Sequence, residues 1–154
     1  MTVGLARTPA EQGLGTPAGA TGYQSAMSTR RVMIDHLTIG VSDLARSRDF
    51  YLRALAPLGF DATSTSDLLP SEIEFGSAAK MDFAISTDYA VGAPVHVAFA
   101  ADSIEQVHAF HAAALAAGGR EHGPPGPRPH YGEGYYGAFV LDPDGHNVEA
   151  VFHG

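Results

Sequence analysis

Apolar and polar residues alternate in two short stretches of the chain, residues 34–41 and 95–101. Such alternation with a period of two is typical of a β-strand that buries one face. In each stretch a histidine, His36 or His96, shares its face with small residues, and the larger apolar side chains lie on the other face. We therefore predict two half-buried strands that each display one histidine.

Each of these strands is followed by apolar residues at three- and four-residue steps, the pattern of a helix with one buried side. Ser42 is the predicted N-cap of the first helix, which runs to about Ala56. Asp102 or Ser103 caps the second helix, which ends at Gly118 and Gly119.

Further strands are predicted at residues 61–65, 72–76, 81–86, 135–141 and 146–153. The last two are joined by the turn sequence Asp142-Pro143-Asp144-Gly145. Residues 123–134 are rich in Pro and Gly and are predicted to form a loop. Residues 1–32 have no apolar period, so we expect either a disordered tail or a chain whose true start is Met27 or Met33.

The two halves match at a constant offset, since 96 − 36 = 60 aligns His36 with His96. At this offset the two predicted strands align, and so do the helix caps, the apolar faces of the helices and the glycines that end them. This agreement indicates two copies of a βαβββ unit. The predicted domain spans residues 33–154, with module one at about 33–90 and module two at about 94–154. Aligning residues 81–85 with 148–152 places Asp82 opposite Glu149.

Strand parity places His36, His96 and Glu149 on the faces opposite the larger apolar residues. If the sheet curves, these three side chains would line one cavity. Two imidazoles and a carboxylate suit Fe²⁺, Mn²⁺, Ni²⁺ or Zn²⁺. The alternative is that these polar residues form the solvent face of an antiparallel sheet. Their corresponding positions in the repeat favour the metal site.

Composition narrows the possible partners and site types. The chain has 9 Lys and Arg against 17 Asp and Glu, a net charge of −8, and no basic cluster. This argues against nucleic acid or an anionic membrane as the main partner. The absence of cysteine excludes disulfides and thiolate metal sites. With no long apolar run and no signal-peptide pattern, we expect a cytoplasmic protein.

Three segments in this order and spacing resemble the vicinal-oxygen-chelate superfamily of glyoxalases, extradiol dioxygenases and bleomycin-resistance proteins. They are residues 35–41 (DHLTIGV), 96–99 (HVAF) and 142–149 (DPDGHNVE). The resemblance implies an α+β fold in which two βαβββ modules form a curved mixed sheet with helices on the outer face. It also implies a divalent metal on His36, His96 and Glu149, with Asp82 as a fourth ligand, and a homodimer.

The function implied is metal-dependent chemistry on a small oxygen-chelating substrate. Glyoxalase-like lyase or isomerase chemistry comes first, with Glu149 or Asp82 moving the proton. An extradiol ring-cleaving dioxygenase or a fosfomycin-type thiol transferase is the alternative within the family. The alternative from another class is a non-catalytic, drug-binding protein like those of bleomycin resistance.

A lid over the metal is predicted from the loop that precedes the last hairpin. His130 and Tyr131 are its candidate catalytic residues, because histidine exchanges protons near neutral pH. Arg128, Tyr135 and Tyr136 are candidate substrate-binding residues, with Arg128 suited to a carboxylate or phosphate. An exposed loop whose aromatic residues cover the sheet edge remains the alternative.

Overall fold

A computed structural model describes residues 33–63, 70–77 and 80–154. Both predicted copies of the βαβββ unit are present in it, within a unit of residues 32–154. The predicted tail at residues 1–32 and the end of the strand predicted at 61–65 lie outside the described residues. No helix in the described ranges is long and apolar enough to cross a membrane.

Each module has one helix and four strands in the same order. Module one contains β1 (Leu37–Gly40), α1 (Leu44–Leu55), β2 (Asp61–Thr63), β3 (Glu72–Ser77) and β4 (Lys80–Ser86), with a 3₁₀ turn at Ala56–Leu58 after α1. Module two contains β5 (His96–Ala100), α2 (Ile104–Ala116), β6 (Arg120–Pro127), β7 (Tyr135–Leu141) and β8 (Asn147–His153).

The two helices begin at different kinds of cap. The side chain of Asp43, not that of Ser42, accepts the hydrogen bond from Arg46 N (3.0 Å) at the start of α1. The prediction of Ser42 was therefore one residue early. In α2 the Ser103 hydroxyl accepts from Gln106 N (3.3 Å), as predicted, and Gln106 Oε1 accepts from Asp102 N (2.6 Å). A cap of this kind contributes about 1 kcal/mol to helix stability.

The Pro- and Gly-rich segment predicted as a loop is in part a strand. β6 continues to Pro127, and its ladder with β7 shifts register between Glu121 and Gly123 and again between Gly123 and Gly126. Proline lacks a backbone N–H and cannot donate a hydrogen bond to a neighbouring strand. It is therefore found in strands that have a neighbour on one side only. β6 meets that condition because it is the edge strand of its sheet.

The strands form two four-stranded sheets with the orders β1-β4-β3-β2 and β5-β8-β7-β6. In each sheet the first strand pairs in parallel with the last strand of the same module. The other ladders are antiparallel. This is the predicted α+β fold of two matching modules, and it leaves β1 and β5 as edge strands.

The ladder registers correct the predicted alignment of β4 with β8. Thr38 pairs with Ala84 in module one, and Ala98 pairs with Glu149 in module two. Because Thr38 and Ala98 correspond at the offset of 60, Ala84 is the structural counterpart of Glu149. The alignment of Asp82 with Glu149 was wrong by two residues.

The core lies where both helices pack against the sheets and against each other. Phe50 and Tyr51 of α1 and Phe110 of α2 are fully buried in one continuous apolar cluster. Aromatic rings extend this cluster across the modules, since Phe83 of β4 meets Phe99 of β5 edge to face at 5.1 Å. Truncating one such ring to alanine costs about 3–5 kcal/mol.

A buried polar contact joins the modules at the turn before β8. The backbone N of Val95 donates to His146 Nδ1 (3.2 Å), so His146 Nε2 carries the proton and donates to Gly40 O (3.0 Å). The hydroxyl of Tyr51 donates to Asp142 Oδ2 (2.7 Å). Burial and the Asp142 carboxylate raise the pKa of Tyr51 well above its usual value, so it remains a donor.

Candidate functional site

His96 and Glu149 meet on the open face of the second sheet. Their strands are neighbours, and the register pairs His96 with Asn147 and Ala98 with Glu149, so all four residues lie on one face. His96 Nε2 lies 3.2 Å from Glu149 Oε2. Glu149 is fully buried, and apart from this contact with His96 its Oε2 has no hydrogen-bond donor among the described residues. The structure thus brings two predicted metal ligands together.

The Glu149 carboxylate sits in a cradle made by Gly137 and Tyr135. The Tyr135 hydroxyl donates to Glu149 Oε1 at 2.8 Å. A Cβ at position 137 would lie 2.5 Å from the same oxygen, so the carboxylate needs a glycine there. The cradle holds Oε1 and leaves Oε2 directed at His96.

Burial is the main influence on the protonation of this site. It raises the pKa of Glu149, against the lowering effects of the Tyr135 hydrogen bond, His96 and Arg128. Burial and the hydrogen bond to Glu149 raise the pKa of Tyr135 to about 12. Tyr135 is therefore a protonated donor at neutral pH, and burial disfavours the charged form of Glu149.

The imidazole of His96 is oriented from behind by Asn147. Its Nδ1 lies 3.0 Å from the backbone O of Asn147 and 2.9 Å from the amide Nδ2. A proton on Nδ1, donated to the backbone oxygen, leaves a lone pair on Nε2 beside Glu149 Oε2. That tautomer is the one a metal ligand requires.

A divalent cation fits these donors because an imidazole nitrogen and an unsatisfied buried carboxylate oxygen converge at one point. Two protein donors are fewer than the three or four that zinc sites use. Within the described residues no group of three or more His, Asp or Glu side chains could hold a metal ion. The arrangement is half of a metal site.

His36 lies in another place, in the lining of a cavity on the first sheet. This acidic cavity, of ≈ 480 Å³, is lined among others by Asp35, His36, Thr38, Glu72, Glu74 and Tyr89. The His36 side chain is 69% exposed, and its Nδ1 lies 3.1 Å from Asp35 Oδ1. Within one chain, the structure does not bring His36 to His96 and Glu149.

Asp82, the predicted fourth ligand, is also apart from the pair. Its Oδ1 lies 3.0 Å from Lys80 Nζ, and its side chain lines an apolar cavity with Phe83 and Phe99. The corrected register removes the reason for assigning it a ligand role. Ala84, which has no donor, occupies the place that corresponds to Glu149.

The loop residues divide between the two faces of the sheet. The rings of His130, Tyr131 and Tyr135 follow one another at 4.1 Å and 5.1 Å and lead towards Glu149. Tyr136 points to the helix side, where its hydroxyl lies 2.8 Å from His108 Nε2.

A basic cavity of ≈ 240 Å³ adjoins the His96–Glu149 pair. It is lined by His122, Gly123, Arg128, Tyr131, Phe139 and Asn147. Arg128 and Tyr131 of this set were predicted from the sequence. The positions of His122 and Asn147 beside the cavity, and of Gly137 in the cradle, were not predicted. Asn147 shares its parity with Glu149, which was the available signal. Gly137 has no signal until the pairing of β7 with β8 is known.

Comparison with known proteins agrees with the architecture. A family model described as Glyoxalase/Bleomycin resistance protein/Dioxygenase superfamily matches residues 33–150. A glyoxalase/bleomycin resistance protein from Albidiferax ferrireducens T118 is 34% identical over 78% of this chain and 98% of that chain, with a TM-score of 0.63. The fosfomycin resistance protein FosX from Mesorhizobium loti is 20% identical over 77% and 89%, with a TM-score of 0.55. No curated protein matches the chain.

Proposed function

The chain belongs to the glyoxalase/bleomycin resistance protein/dioxygenase superfamily, and from this premise we propose that it is a divalent-metal-dependent enzyme with glyoxalase-like lyase or isomerase chemistry. Its substrate is a small molecule that chelates the metal through oxygen. The observation that carries the proposal is the buried, unsatisfied Glu149 Oε2 directed at His96 Nε2. A carboxylate oxygen without a donor in a buried site is costly unless a cation compensates its charge.

The third ligand in this proposal is His36 of a second copy of the chain. β1 and β5 are edge strands, and an apolar residue is partly exposed at the start of each: Leu37 in β1 and Val95 immediately before β5. Unpaired edges of this kind favour association with another chain. A homodimer would then contain two sites, each using both modules.

The chemistry assigns different tasks to the residues of the pair. A bound cation would supply Lewis-acid stabilisation of negative charge on the substrate oxygens. Glu149 would hold the cation through Oε2 and would move the substrate proton with the same oxygen when it leaves the cation, because Oε1 is held by Tyr135. His130 and Tyr131, next to Tyr135 in the ring series, would close the site against water.

Metal binding tests this proposal most simply. We expect the purified chain, freed of metal, to bind Mn²⁺, Ni²⁺, Zn²⁺ or Fe²⁺ in a calorimetric titration, and His96→Gln to lose that binding. His108→Gln is the matched control, since His108 is exposed on α2 and faces Tyr136. No metal binding by the unaltered chain would instead favour a non-catalytic drug-binding protein.

An extradiol-type dioxygenase is the second candidate, and one observation favours it. With Ala84 at the counterpart of Glu149, the protein donors reduce to two histidines and one carboxylate. That set leaves open positions and is typical of non-haem Fe²⁺ oxygenases. Oxygen uptake with Fe²⁺ and catechols, compared with turnover of methylglyoxal–thiol adducts, separates the two reactions. A fosfomycin-type thiol transferase is tested in the same screen with fosfomycin and a thiol.

A further inference from the structure

The basic cavity is positioned to hold part of a substrate whose oxygens face the metal site. Asn147 lines this cavity and also touches His96 Nδ1. Phe139 also lines it, and its ring centre lies 6.0 Å from that of His96. A small molecule bound at the pair would therefore extend directly into the cavity.

Arg128 is a fixed cation in this cavity; its charge acts on Glu149 from a distance, but it forms no ion pair with a described carboxylate. Its guanidinium donates to Pro124 O (2.7 Å) and Pro127 O (3.2 Å) and lies 5.4 Å from the centre of the Phe139 ring. A guanidinium has more N–H groups than these two bonds use. No carboxylate among the described residues forms an ion pair with it, although the chain carries a net charge of −8. The group is oriented and half-buried, which is how proteins recognise carboxylates and phosphates.

Asn147 would add a second donor when His96 is in its ligand tautomer. In that tautomer His96 Nδ1 carries a proton, while the side-chain NH₂ group of Asn147 also faces this nitrogen. Two donors would then face each other, which is unfavourable. Turning the amide over places Asn147 Oδ1 against this proton and puts the NH₂ group where Oδ1 is now buried without a partner. The NH₂ group then takes that buried position in the wall of the cavity that Arg128 also lines, where it needs an acceptor.

The rest of the lining agrees with an anionic occupant. His122 and the Tyr131 hydroxyl are further donors at the rim, and Tyr131 is 60% exposed. None of the cavity's lining residues is an Asp or Glu. The first-module cavity differs in this respect, because it contains Asp35, Glu72 and Glu74.

We propose that the basic cavity binds the carboxylate of the substrate, with Arg128 as the main contact and Asn147 and His122 as further donors. This inference rests on the proposed function, since it extends the same site. The substrate class is then a small oxygenated carboxylic acid whose carboxylate is separate from the oxygens that face the metal.

Anion binding to the metal-free, full-length protein tests this inference without relying on turnover. Benzoate is the probe, and benzamide is its uncharged match in shape. We expect saturable benzoate binding with a Kd on the order of millimolar or tighter, seen as chemical-shift changes in an NMR titration. Benzamide should bind at least about 10-fold more weakly, and added salt should weaken benzoate binding.

Variants identify the cavity as the binding place. Arg128→Gln should lose benzoate binding by about 10-fold or more, whereas Arg53→Gln, on the exposed last turn of α1, should not. Asn147→Asp, which puts a negative charge into the cavity, should also abolish binding and serves as the second variant if Arg128→Gln misfolds. Equal affinity for benzoate and benzamide, no saturable binding, or an Arg128→Gln protein that binds like Arg53→Gln overturns the inference.

A metal titration of the same samples keeps the two proposals distinguishable. Metal binding with no benzoate binding refutes the carboxylate cavity and leaves the proposed function standing. Benzoate binding that depends on Arg128 without any metal binding supports the cavity and refutes the metal-dependent function.

Discussion

The two modules share one strand order but present different chemistry at corresponding positions. In module two, Phe139 of β7 pairs with Glu149 of β8, so the carboxylate lies on the strand next to His96. In module one the corresponding pair is Glu74 of β3 and Ala84 of β4, so the carboxylate lies one strand further from β1. The two modules thus share one backbone arrangement, but the carboxylate lies on β3 in module one and on β8 in module two.

Because of this difference, the candidate metal ligands are buried around Glu149 in module two and exposed around His36 in module one. Glu149 is 0% exposed and cradled by Gly137, whereas the position in module one that corresponds to Gly137 is occupied by Glu72. The first module therefore offers an open acidic surface around His36. The second offers a single carboxylate with a raised pKa beside His96. Neither half has enough donors alone, which is why we propose that the halves meet across a dimer.

The largest expected effect comes from removing the charge of one carboxylate in each module. Glu149→Gln should weaken divalent-metal binding by about 100-fold or more, because it removes a direct ligand. Glu74→Gln, the matched change in module one, should alter it by less than about 3-fold. Calorimetric titration of both variants measures the difference. Equal losses would mean that the modules contribute alike.

The cradle gives the second prediction. Gly137→Ala places a Cβ 2.5 Å from Glu149 Oε1 and forces the carboxylate to move. We expect metal affinity to fall by about 30-fold, with a native circular-dichroism spectrum. Glu72→Ala, at the corresponding position of module one, should leave affinity unchanged. Normal affinity in Gly137→Ala would show that the observed carboxylate position is not the one that binds metal.

Tyr135→Phe should have a smaller effect, visible in the pH dependence. The Tyr135 hydrogen bond lowers the pKa of Glu149, so its removal raises that pKa further. Protons compete with the metal for this carboxylate, and the midpoint of metal binding should therefore move to higher pH. At neutral pH the affinity should fall by about 10-fold. A midpoint that moved to lower pH would contradict the role given to the hydroxyl.

The smallest expected effect concerns the stability of the metal-free protein. The pKa of Glu149 in the folded protein is raised above its usual value of 4.5. The folded state therefore favours the protonated form of Glu149, and this stabilises the protein fully below pH 4.5. The stabilisation is lost as the pH rises through the pKa of the folded state. Glu149→Gln should therefore be more stable than the unaltered chain at pH 7. The difference should vanish near pH 4. Urea unfolding at both pH values measures it, and a less stable variant at pH 7 would contradict the assignment.

Periodicity was sufficient to predict the modules, their helices and the faces on which His96 and Glu149 lie. It could not fix the match between β4 and β8, because a slip of two residues leaves every side chain on its face. Asp82 was therefore aligned with Glu149, where the ladders place Ala84. Gly137 acquires its meaning only from that pairing.

The relation between the two sheets was also beyond the sequence. The alternation of side chains along a strand predicts that His36 and His96 each lie on the face opposite the larger apolar residues. It says nothing about how one sheet is placed against the other, which depends on the contacts of α1 with α2 and of His146 with Gly40. The second half of β6 was predicted as a loop for a different reason. Proline and glycine are rare in strands, so a strand at a sheet edge that contains them is not recognised from its sequence.

Mixing two inactive variants tests the shared site most directly. His36→Gln and Glu149→Gln, each metal-free and unable to bind metal tightly, should form mixed dimers on subunit exchange, and one of their two sites should be intact. Random exchange predicts recovery of about a quarter of the unaltered chain's metal capacity. A mixture of His96→Gln with Glu149→Gln, both altered in module two, should recover none. If the first mixture also recovers none after exchange is verified by native mass spectrometry, His36 does not complete the site of another chain.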